Sequence, residues 1–499
     1  MSNILRRLPA AIIAAVTLIY SPYIKAQQEF PTTVFSRPGV RFMQKFPYQK
    51  DGNEIKVTNL PYGLNYNENR NLVEGVINIP GEYIYYVDIT DVEGNSKTTP
   101  ISLTVSDSLQ QALPFMGWLS WNVIEGNVSH EVVTEVADAL VEKGLKDAGY
   151  NYLVIDDLWH APERNADYTP KEDSVKFPLG MRATSDYVHK KGLKFGIYSD
   201  AAYNTCAGAF GSFGYEKIDA KQYADWGVDI LKYDYCHAPV DLPTAVSRYQ
   251  AMGDALRDSG RNIVLYICEW GVREPWKWGA ETGGSCWRCT YDTRDCWYGD
   301  EANNGIGIAE SINHMKDLWI YNGVNRWNDA DMMCVGIHGK GKSSSELCIS
   351  SPGMNHDEYA TQFALWCMWS SPLTLSFDVR EEISEDDMAI ITNRELIALN
   401  QDPMGQAAQP VETDNPDFIV FTKDLENGDI AVSVTNITET PGNYTVDLTT
   451  IPGFENNSVY ALRDVVNHRD ISNMFNFNTL NTDIIPSHGT VVYRFNRRQ

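Results

Sequence analysis

Hydrophobic and polar positions follow three successive patterns along this chain. Between residues 27 and 108 they alternate one by one, as in residues 82–89 and 101–105. A period of two predicts β-strands that have one buried and one exposed face. Turn-forming Pro, Gly, Asp and Asn separate these strands, so the region is predicted to form a small β-sandwich.

The second pattern runs from residue 112 to 403 and alternates short apolar runs with stretches of helical spacing. Apolar runs of this length are typical of parallel strands that are buried on both faces. Eight β–α units of this kind predict a (β/α)8 TIM barrel. The predicted strands are residues 115–121, 152–155, 194–198, 229–236, 263–268, 286–288, 325–327 and 372–376. Predicted helices between them include residues 132–146, 183–191 and 243–260.

The third pattern, over residues 404–499, is alternation again. It predicts a second β-sandwich with antiparallel strands. The predicted fold class is therefore multidomain, with a TIM barrel between two β-sandwiches. The clearest strands of the last region are residues 418–422, 429–435, 444–448 and 490–495.

The first 26 residues have the composition of a secretory signal peptide. A basic pair, Arg6 and Arg7, precedes the apolar residues 8–20, and Ala26 offers a cleavage position. The apolar stretch is too short and too poorly flanked for a transmembrane helix. We expect an exported protein, periplasmic or extracellular, that does not insert into the membrane.

Charge and cysteine content narrow the range of partners. A net charge of −25 disfavours nucleic acid and anionic membranes, and it fits a neutral ligand. Nine cysteines in an exported chain favour disulfides, with Cys367 in an apolar segment as the buried free thiol. A zinc site at the CxxC pair of Cys286 and Cys289 is the alternative, but no second pair accompanies it. We predict neither a metal nor a cofactor.

Acidic residues follow six of the predicted barrel strands. The C-terminal ends of all strands of a TIM barrel meet at one face, so these side chains are predicted to share one pocket. The strand at residues 229–236 is central because it carries both a lysine and an aspartate. The polar residues at the strand ends are Asp156, Asp157, Tyr198, Asp200, Lys232, Asp234, Glu269, Arg288, Asp292 and Asp331.

A pocket that combines carboxylates with one Lys, one Arg and several aromatic residues suggests glycoside hydrolysis. That reaction needs two carboxyl groups, one on each side of the scissile bond. Asp234 is the predicted nucleophile, because Lys232 faces the same side of its strand and would keep it ionised. Asp292, two strands away, is the predicted acid/base. Arg288 lies four residues before it.

Nine motifs carry a resemblance to the α-galactosidases of glycoside hydrolase family 27, over residues 112–499. The resemblance implies a TIM barrel, a C-terminal β-sandwich and retaining hydrolysis of terminal α-linked D-galactose without a cofactor. Residues 60–95 are similar to the Ig-like modules of exported bacterial glycosidases, which implies an Ig-like β-sandwich at the N-terminus. The motifs are residues 116–122, 155–159, 198–200, 205–208, 225–229, 232–236, 287–292, 327–332 and 400–405.

The resemblance also implies a role for each matched residue. Asp234 resembles the nucleophile and Asp292 the acid/base. Trp121 resembles the aromatic platform of the sugar pocket. Asp156 and Asp157 resemble the binders of the 4- and 6-hydroxyls. Glu269 and Arg288 resemble the binders of the 2-hydroxyl. The implied sugar-binding residues are Trp121, Asp156, Asp157, Tyr198, Lys232, Glu269, Arg288 and Asp331.

Disulfides and departures from the family pattern follow from the same resemblance. Cys206 and Cys236 look like the family's disulfide beside the nucleophile, and Cys268 with Cys286 would join the fifth and sixth strands. Weaker expectations, which rest on proximity in the sequence and not on the resemblance, pair Cys289 with Cys296 and Cys334 with Cys348. Two positions depart from the family: Leu158 stands where a cysteine is usual, and Tyr235 stands where an asparagine is usual.

Other activities remain as alternatives. Glu269 would crowd an N-acetyl group, which disfavours α-N-acetylgalactosaminidase. Asp157 leaves room for a 6-hydroxymethyl group, which disfavours β-L-arabinopyranosidase. A non-catalytic galactose-binding protein is disfavoured because both catalytic acids are retained. Residues 336–343 match a phosphate-loop pattern, but the sequence after them does not predict a helix, so we expect a loop near the pocket rim.

Overall fold

The computed structural model describes residues 30–46, 52–301, 305–340, 353–456 and 458–498. The predicted signal peptide, residues 1–26, lies outside this part of the chain. The described residues form an N-terminal β-sandwich, a parallel β/α barrel and a C-terminal antiparallel region, in the predicted order.

Two small sheets form the N-terminal sandwich. Alternation along the sequence gives Tyr85, Val87, Ile101 and Leu103 one common face, which is buried in one core with Val73 of the opposite sheet. The strands are β1 Thr33–Ser36, β2 Arg41–Lys45, β3 Glu54–Thr58, β4 Leu64–Asn67, β5 Leu72–Val76, β6 Gly81–Thr90 and β7 Ser96–Val105. The strand orders are β1–β7–β6–β3 and β2–β5–β4.

Eight parallel strands form the barrel. Seven of the predicted strands are confirmed to within two residues at each end, whereas the strand predicted at residues 325–327 lies two residues later. They are β8 Met116–Leu119, β9 Tyr152–Val154, β10 Lys194–Asp200, β11 Ile230–Asp234, β12 Val264–Ile267, β13 Gly284–Arg288, β16 Trp327–Asp329 and β17 Leu373–Leu375. Between them, β14 Asp292–Thr293 and β15 Gly305–Ile306 form a separate pair. The order is β16–β13–β12–β11–β10–β9–β8–β17. A bridge between Met333 and Leu375 closes the barrel, and alternate residues such as Ile230 and Tyr266 fill its interior.

Helices connect most of the barrel strands. The helix predicted over residues 132–146 is divided in two, because Gly144 adopts a left-handed φ of 75°. Polar side chains cap the three longest described helices; Asp241, for example, accepts from the Thr244 amide at 2.9 Å. The helices are α1 Trp121–Ile124, α2 His130–Glu142, α3 Leu145–Ala148, α4 Met181–Lys190, α5 Glu216–Trp226, α6 Leu242–Asp258, α7 Pro275–Trp278, α8 Ile308–Met315, α9 His356–Trp369, α10 Glu385–Ile391 and α11 Arg394–Asn400. Among these described helices, none combines the length and apolar composition needed to cross a bilayer.

The C-terminal region is an antiparallel sandwich. A six-stranded sheet packs Val420, Val432 and Val434 in one core with Val446 and Leu480 of a two-stranded sheet. The strands are β18 Gln409–Val411, β19 Phe418–Asp424, β20 Ile430–Asn436, β21 Thr445–Asp447, β22 Tyr460–Asp464, β23 Arg469–Phe475, β24 Thr479–Asn481 and β25 Thr490–Arg497. The larger sheet has the order β18–β19–β20–β25–β22–β23, and β21 pairs with β24.

Buried ion pairs join the N-terminal sandwich to the C-terminal one. Asp424, the last residue of β19, lies 2.8 Å from Lys45 and 2.7 Å from Arg70. Burial alone would raise the pKa of Asp424, but the two cations lower it to about 2. Arg326, just before β16, donates to the Thr33 carbonyl at 2.8 Å. The N-terminal sandwich therefore contacts the barrel at the amino end of a strand, away from the face where the strands end.

Candidate active site

Asp234 lies at the carboxyl end of β11, as predicted, and is 5% exposed. Its carboxylate oxygens accept hydrogen bonds from the Tyr198 hydroxyl (3.0 Å) and the Tyr235 amide (3.0 Å). Tyr198 reaches it because β10 and β11 are parallel neighbours. Burial raises the pKa of Asp234 to about 6, and the charge of Lys232 opposes that rise. Asp234 is therefore ionised at neutral pH, as a nucleophile must be.

Lys232 forms a buried ion pair with Asp156. The Lys232 Nζ lies 2.6 Å from the Asp156 Oδ2 and 5.5 Å from the centre of the Tyr198 ring. Burial disfavours the charged ammonium, but the carboxylate of Asp156 outweighs burial and raises the pKa of Lys232. The predicted cation is therefore present near Asp234, with its direct hydrogen bond going to Asp156.

A disulfide holds the loop that orients Asp157. Cys206 and Cys236 are bonded as predicted, with their Cα atoms 5.1 Å apart. The next residue, Ala207, donates its amide to the Asp157 Oδ2 at 2.9 Å. The Cys206 sulfur also lies 3.3 Å from the Asp234 Oδ2. Burial raises the pKa of Asp157. The disulfide loop thus orients Asp157, and the disulfide itself lies beside Asp234.

Arg288 joins two acids at the ends of the next strands. Its Nη1 lies 2.9 Å from the Asp331 Oδ1, and its Nη2 lies 3.1 Å from the Asp292 Oδ1. Arg288 and Asp331 are buried, whereas the side chain of Asp292 is 49% exposed. Burial raises the pKa of Asp331 to about 7, although Arg288 opposes the rise. The structure therefore brings the three residues together, with Asp292 as the member that solvent reaches.

Glu269 is fully buried and faces Arg273. Its Oε2 accepts from the Arg273 amide (2.9 Å) and from the Arg273 Nη1 (3.0 Å). Burial raises the pKa of Glu269 to about 7, with Arg273 acting against it. The described hydrogen bonds of the Glu269 carboxylate come from Arg273 and the Gly271 amide and not from Arg288, so its contact with a sugar hydroxyl stays a prediction. Trp121 begins α1 directly after β8 and packs, half-buried, against the barrel interior.

Three buried side chains near the site have no chemical role in the sequence prediction, although Asp200 is predicted to lie in the pocket. Asp200 lies opposite Asp234 in the sheet, and burial together with the charge of Asp234 raises its pKa to about 9. The Nδ1 of His160 lies 3.8 Å from the Asp157 Oδ1. Asp329 accepts a hydrogen bond from Tyr266 inside the barrel. The signal for Asp200 and Asp329 was their position at strand ends; for His160 we see none in the sequence.

The second predicted disulfide is wrong: Cys268 and Cys286 are buried free thiols. Cys286 pairs in register with Tyr266, two residues before Cys268. That offset separates the two Cα atoms by about 8 Å, which exceeds the span of a disulfide. Cys289 is also a free thiol, so its predicted pairing is wrong too, whereas the free, buried state of Cys367 is confirmed. Cys348 lies outside the described residues, but Cys334 is itself a buried free thiol, so its predicted pairing is also wrong.

Four side chains offer donors close enough to hold a metal ion. Ligand atoms of Asp200, Cys206, Asp234 and Cys236 lie within 4.8 Å of one another. The two sulfurs are bonded to each other, however, so neither is the thiolate that metal coordination requires.

In the phosphate-loop pattern of residues 336–343, residues 341–343 lie outside the described residues. The prediction of a loop at the pocket rim therefore stays a prediction.

Comparisons with known proteins agree with this geometry. Residues 113–402 match the family described as Alpha galactosidase A, and residues 415–495 match the alpha galactosidase C-terminal beta sandwich domain. Alpha-galactosidase A of Cellvibrio japonicus is 39% identical over 404 residues, which is 77% of this chain and 92% of that protein.

Solved structures extend the likeness beyond the barrel. A candidate alpha-galactosidase of Bacteroides fragilis is 35% identical with a TM-score of 0.73, and the match covers 94% of this chain and 97% of that one. An alpha-galactosidase of Saccharomyces cerevisiae with raffinose is 26% identical with a TM-score of 0.68, covering 78% of this chain and 98% of that one.

Proposed function

The chain belongs to the alpha-galactosidases of glycoside hydrolase family 27 and hydrolyses alpha-galactosides, and we propose that it does so as a retaining exo-enzyme that removes terminal D-galactose. One observation carries this mechanism. Asp234 is a buried carboxylate that two donors hold at the end of a barrel strand, next to a lysine that favours its charge. That is the state required of the nucleophile in a double displacement.

The reaction takes two steps. First, an oxygen of Asp234 attacks the anomeric carbon while Asp292 gives its proton to the glycosidic oxygen, and the bond to the aglycone breaks. Then Asp292, now a carboxylate, takes a proton from water, whose oxygen attacks the anomeric carbon and releases Asp234. Two inversions retain the anomeric configuration. The exposure of the Asp292 side chain supports this role, because the acid/base must meet both the leaving group and water.

Sugar binding is assigned to the residues around these two acids. The ion pair of Asp156 with Lys232 offers both an acceptor and a charged donor to hydroxyl groups. Asp157, held by the disulfide loop, provides a second acceptor. Arg288 is assigned to the hydroxyl next to the anomeric carbon, and Trp121 to an apolar face of the ring.

Asp234→Asn is the direct test of the nucleophile. The amide is isosteric but does not attack the anomeric carbon, so release of nitrophenol from p-nitrophenyl α-D-galactopyranoside should be abolished while galactose binding by calorimetry persists. Asp186→Asn, on an exposed residue of α4, is the matched control and should keep wild-type rates. Hydrolysis by Asp234→Asn near the wild-type rate would refute the assignment.

The sugar is tested by comparing three substrates. We expect hydrolysis of p-nitrophenyl α-D-galactopyranoside, with far slower release from the α-N-acetylgalactosaminide and the β-L-arabinopyranoside. Raffinose, present in the S. cerevisiae structure, is an α-galactoside and is the natural-substrate probe. A preference for the arabinopyranoside would mean that the pocket reads a sugar without a hydroxymethyl group. Galactose binding with no hydrolysis of any of the three would favour the non-catalytic alternative.

Export completes the proposal, to the periplasm or the extracellular space. The sequence of residues 1–26 and the disulfide of Cys206 with Cys236 support it, because such bonds persist in oxidising compartments. The expected partner is a neutral galactoside, with neither nucleic acid nor an inserted membrane segment. Fractionation of cells that express the full chain tests this: activity confined to the cytoplasm would contradict it.

A further inference from the structure

Tyr235, the residue directly after Asp234, is held by two neighbouring side chains. Its ring is 5.7 Å from the ring of Tyr249, at an angle of 21° between planes. The guanidinium of Arg273 lies 4.6 Å from the centre of the Tyr235 ring. The Tyr235 hydroxyl is buried without a hydrogen-bond partner in the described part of the chain. The ring contacts, rather than the hydroxyl, therefore hold the side chain, while the backbone of the next residue, Cys236, is held by its disulfide and by donation of its amide to Asp200.

Arg273 is itself held from three directions. Its Nη1 pairs with the Glu269 Oε2 at 3.0 Å, and its amide donates to the same oxygen at 2.9 Å. Its Nε donates to the Val240 carbonyl at 3.0 Å. Val240 belongs to the loop after β11, and Glu269 to the turn after β12. A single side chain therefore joins the two segments that follow these neighbouring strands.

The held residue touches the nucleophile through its backbone. The Tyr235 amide donates to the Asp234 Oδ1 at 3.0 Å. We propose that Arg273 is a positioning residue that fixes the Tyr235 amide against the Asp234 carboxylate and so sets the direction of nucleophilic attack. The inference rests on the proposed function, because it takes Asp234 as the nucleophile. It also gives a role to Tyr235, which departs from the family pattern.

A competing role for this turn is direct sugar recognition by Glu269. The geometry favours positioning, because Glu269 has no exposed surface and the described contacts of its carboxylate go to Arg273 and to the Gly271 amide. Substitution of Arg273 leaves in place the other titratable groups that act on Asp234. These groups are Lys232, Asp156, Tyr198, Asp200, Cys268 and Tyr249.

The test compares Arg273→Met and Arg273→Lys on two substrates, p-nitrophenyl α-D-galactopyranoside and its 2-deoxy analogue, across pH. Arg182→Met, on an exposed arginine paired with Asp186, is the control. We expect Arg273→Met to lower kcat about ten- to a hundredfold with little change in KM, the size typical of a misplaced reacting group. We also expect its acid limb to move to higher pH, because the amide hydrogen bond favours ionised Asp234.

Ring variants separate positioning from general stability. Tyr235→Leu should lower kcat as much as Arg273→Met does. Tyr235→Phe, which retains the ring, should keep most of the wild-type kcat. The 2-deoxy analogue should lose as much kcat as the parent sugar in Arg273→Met. A loss confined to the parent sugar would show that Glu269 reads the 2-hydroxyl and would overturn the proposal.

Other results also decide the matter. An unchanged kcat in Arg273→Met would overturn the proposal. Equal kcat values in Tyr235→Leu and Tyr235→Phe would overturn it as well. If Arg273→Met does not fold, Arg273→Lys and the two ring variants carry the test. If the wild-type chain hydrolyses neither substrate, the proposed function fails. In that case the pKa of Asp234 is measured by NMR titration of the full chain. A pKa that differs between Arg273→Lys and the wild type would support the positioning of the Tyr235 amide by Arg273, and an equal pKa would contradict it.

Discussion

Removing the Tyr198 hydroxyl tests the electrostatics of Asp234, the proposed nucleophile, most directly. In Tyr198→Phe, Asp234 loses one of its two hydrogen bonds, a 3.0 Å contact in a buried setting. Hydrogen bonds to charged groups contribute about 1.5–3 kcal/mol, and about 1.4 kcal/mol corresponds to one pKa unit. The donor favours the ionised form, so its loss should raise the pKa of Asp234 by about one to two units.

The assay is kcat/KM for a nitrophenyl α-galactoside from pH 4 to 9. Wild-type activity should fall as the pH drops through about 6, the pKa of Asp234. The variant should lose activity at a pH about one to two units higher, so its fold defect should be smallest at pH 9, should grow as the pH falls, and should level off at about ten- to a hundredfold below pH 6. Tyr187→Phe, which removes a hydroxyl bound to Asp138 on the outer side of the barrel, is the control.

If the acid limb of the plot of kcat/KM against pH stays in place in Tyr198→Phe, this explanation of the pH dependence is refuted. Asp331 and Glu269 both have a pKa raised to about 7, and the described hydrogen bonds of Tyr198 do not reach them. An unmoved limb would therefore mean that one of these acids, and not Asp234, governs the loss of activity. A uniform loss at every pH would mean that Tyr198 acts only on binding or shape.

Three further predictions concern the scaffold. Lys45→Met should destabilise the protein by about 1–3 kcal/mol in urea at pH 7; the contribution of Asp424 requires its charge, so the difference should vanish as the pH falls toward 2, and an equal difference at both pH values would contradict this. Replacing Cys206 and Cys236 together by Ser should raise KM, because the Asp157 loop is released; an unchanged KM would show that the loop holds without the bond. Peptide mapping after alkylation of the unfolded protein should find Cys206 joined to Cys236 and Cys268 alkylated; unalkylated Cys268 would contradict the register.

Barrel strands were predictable because burial on both faces leaves a simple mark in the sequence. A run such as Ile230–Asp234 is apolar until it reaches the open face, where Lys232 and Asp234 appear. The shared pocket followed from the same geometry, since parallel strands end on one side. The cluster of Arg288 with Asp292 and Asp331 needed no more than that.

Contacts that depend on register or on side-chain direction were not predictable. The irregularity in β12 between Leu265 and Tyr266 decides which residue faces Cys286, and a shift of this kind has no signature in composition or spacing. Arg273 likewise reads as an exposed loop cation, because its stacking on Tyr235 joins turns that are distant in sequence. The ion pairs of Asp424 with the N-terminal sandwich have the same origin.

The attachment of the N-terminal sandwich has a practical consequence for how the molecule can be handled. Its link through Arg326 lies at the amino end of a barrel strand, and the candidate pocket lies where the strands finish. Beads or sensor chips that capture the molecule through this sandwich would hold it with the pocket turned outward. Long polysaccharides could then reach an immobilised enzyme without passing between it and the support.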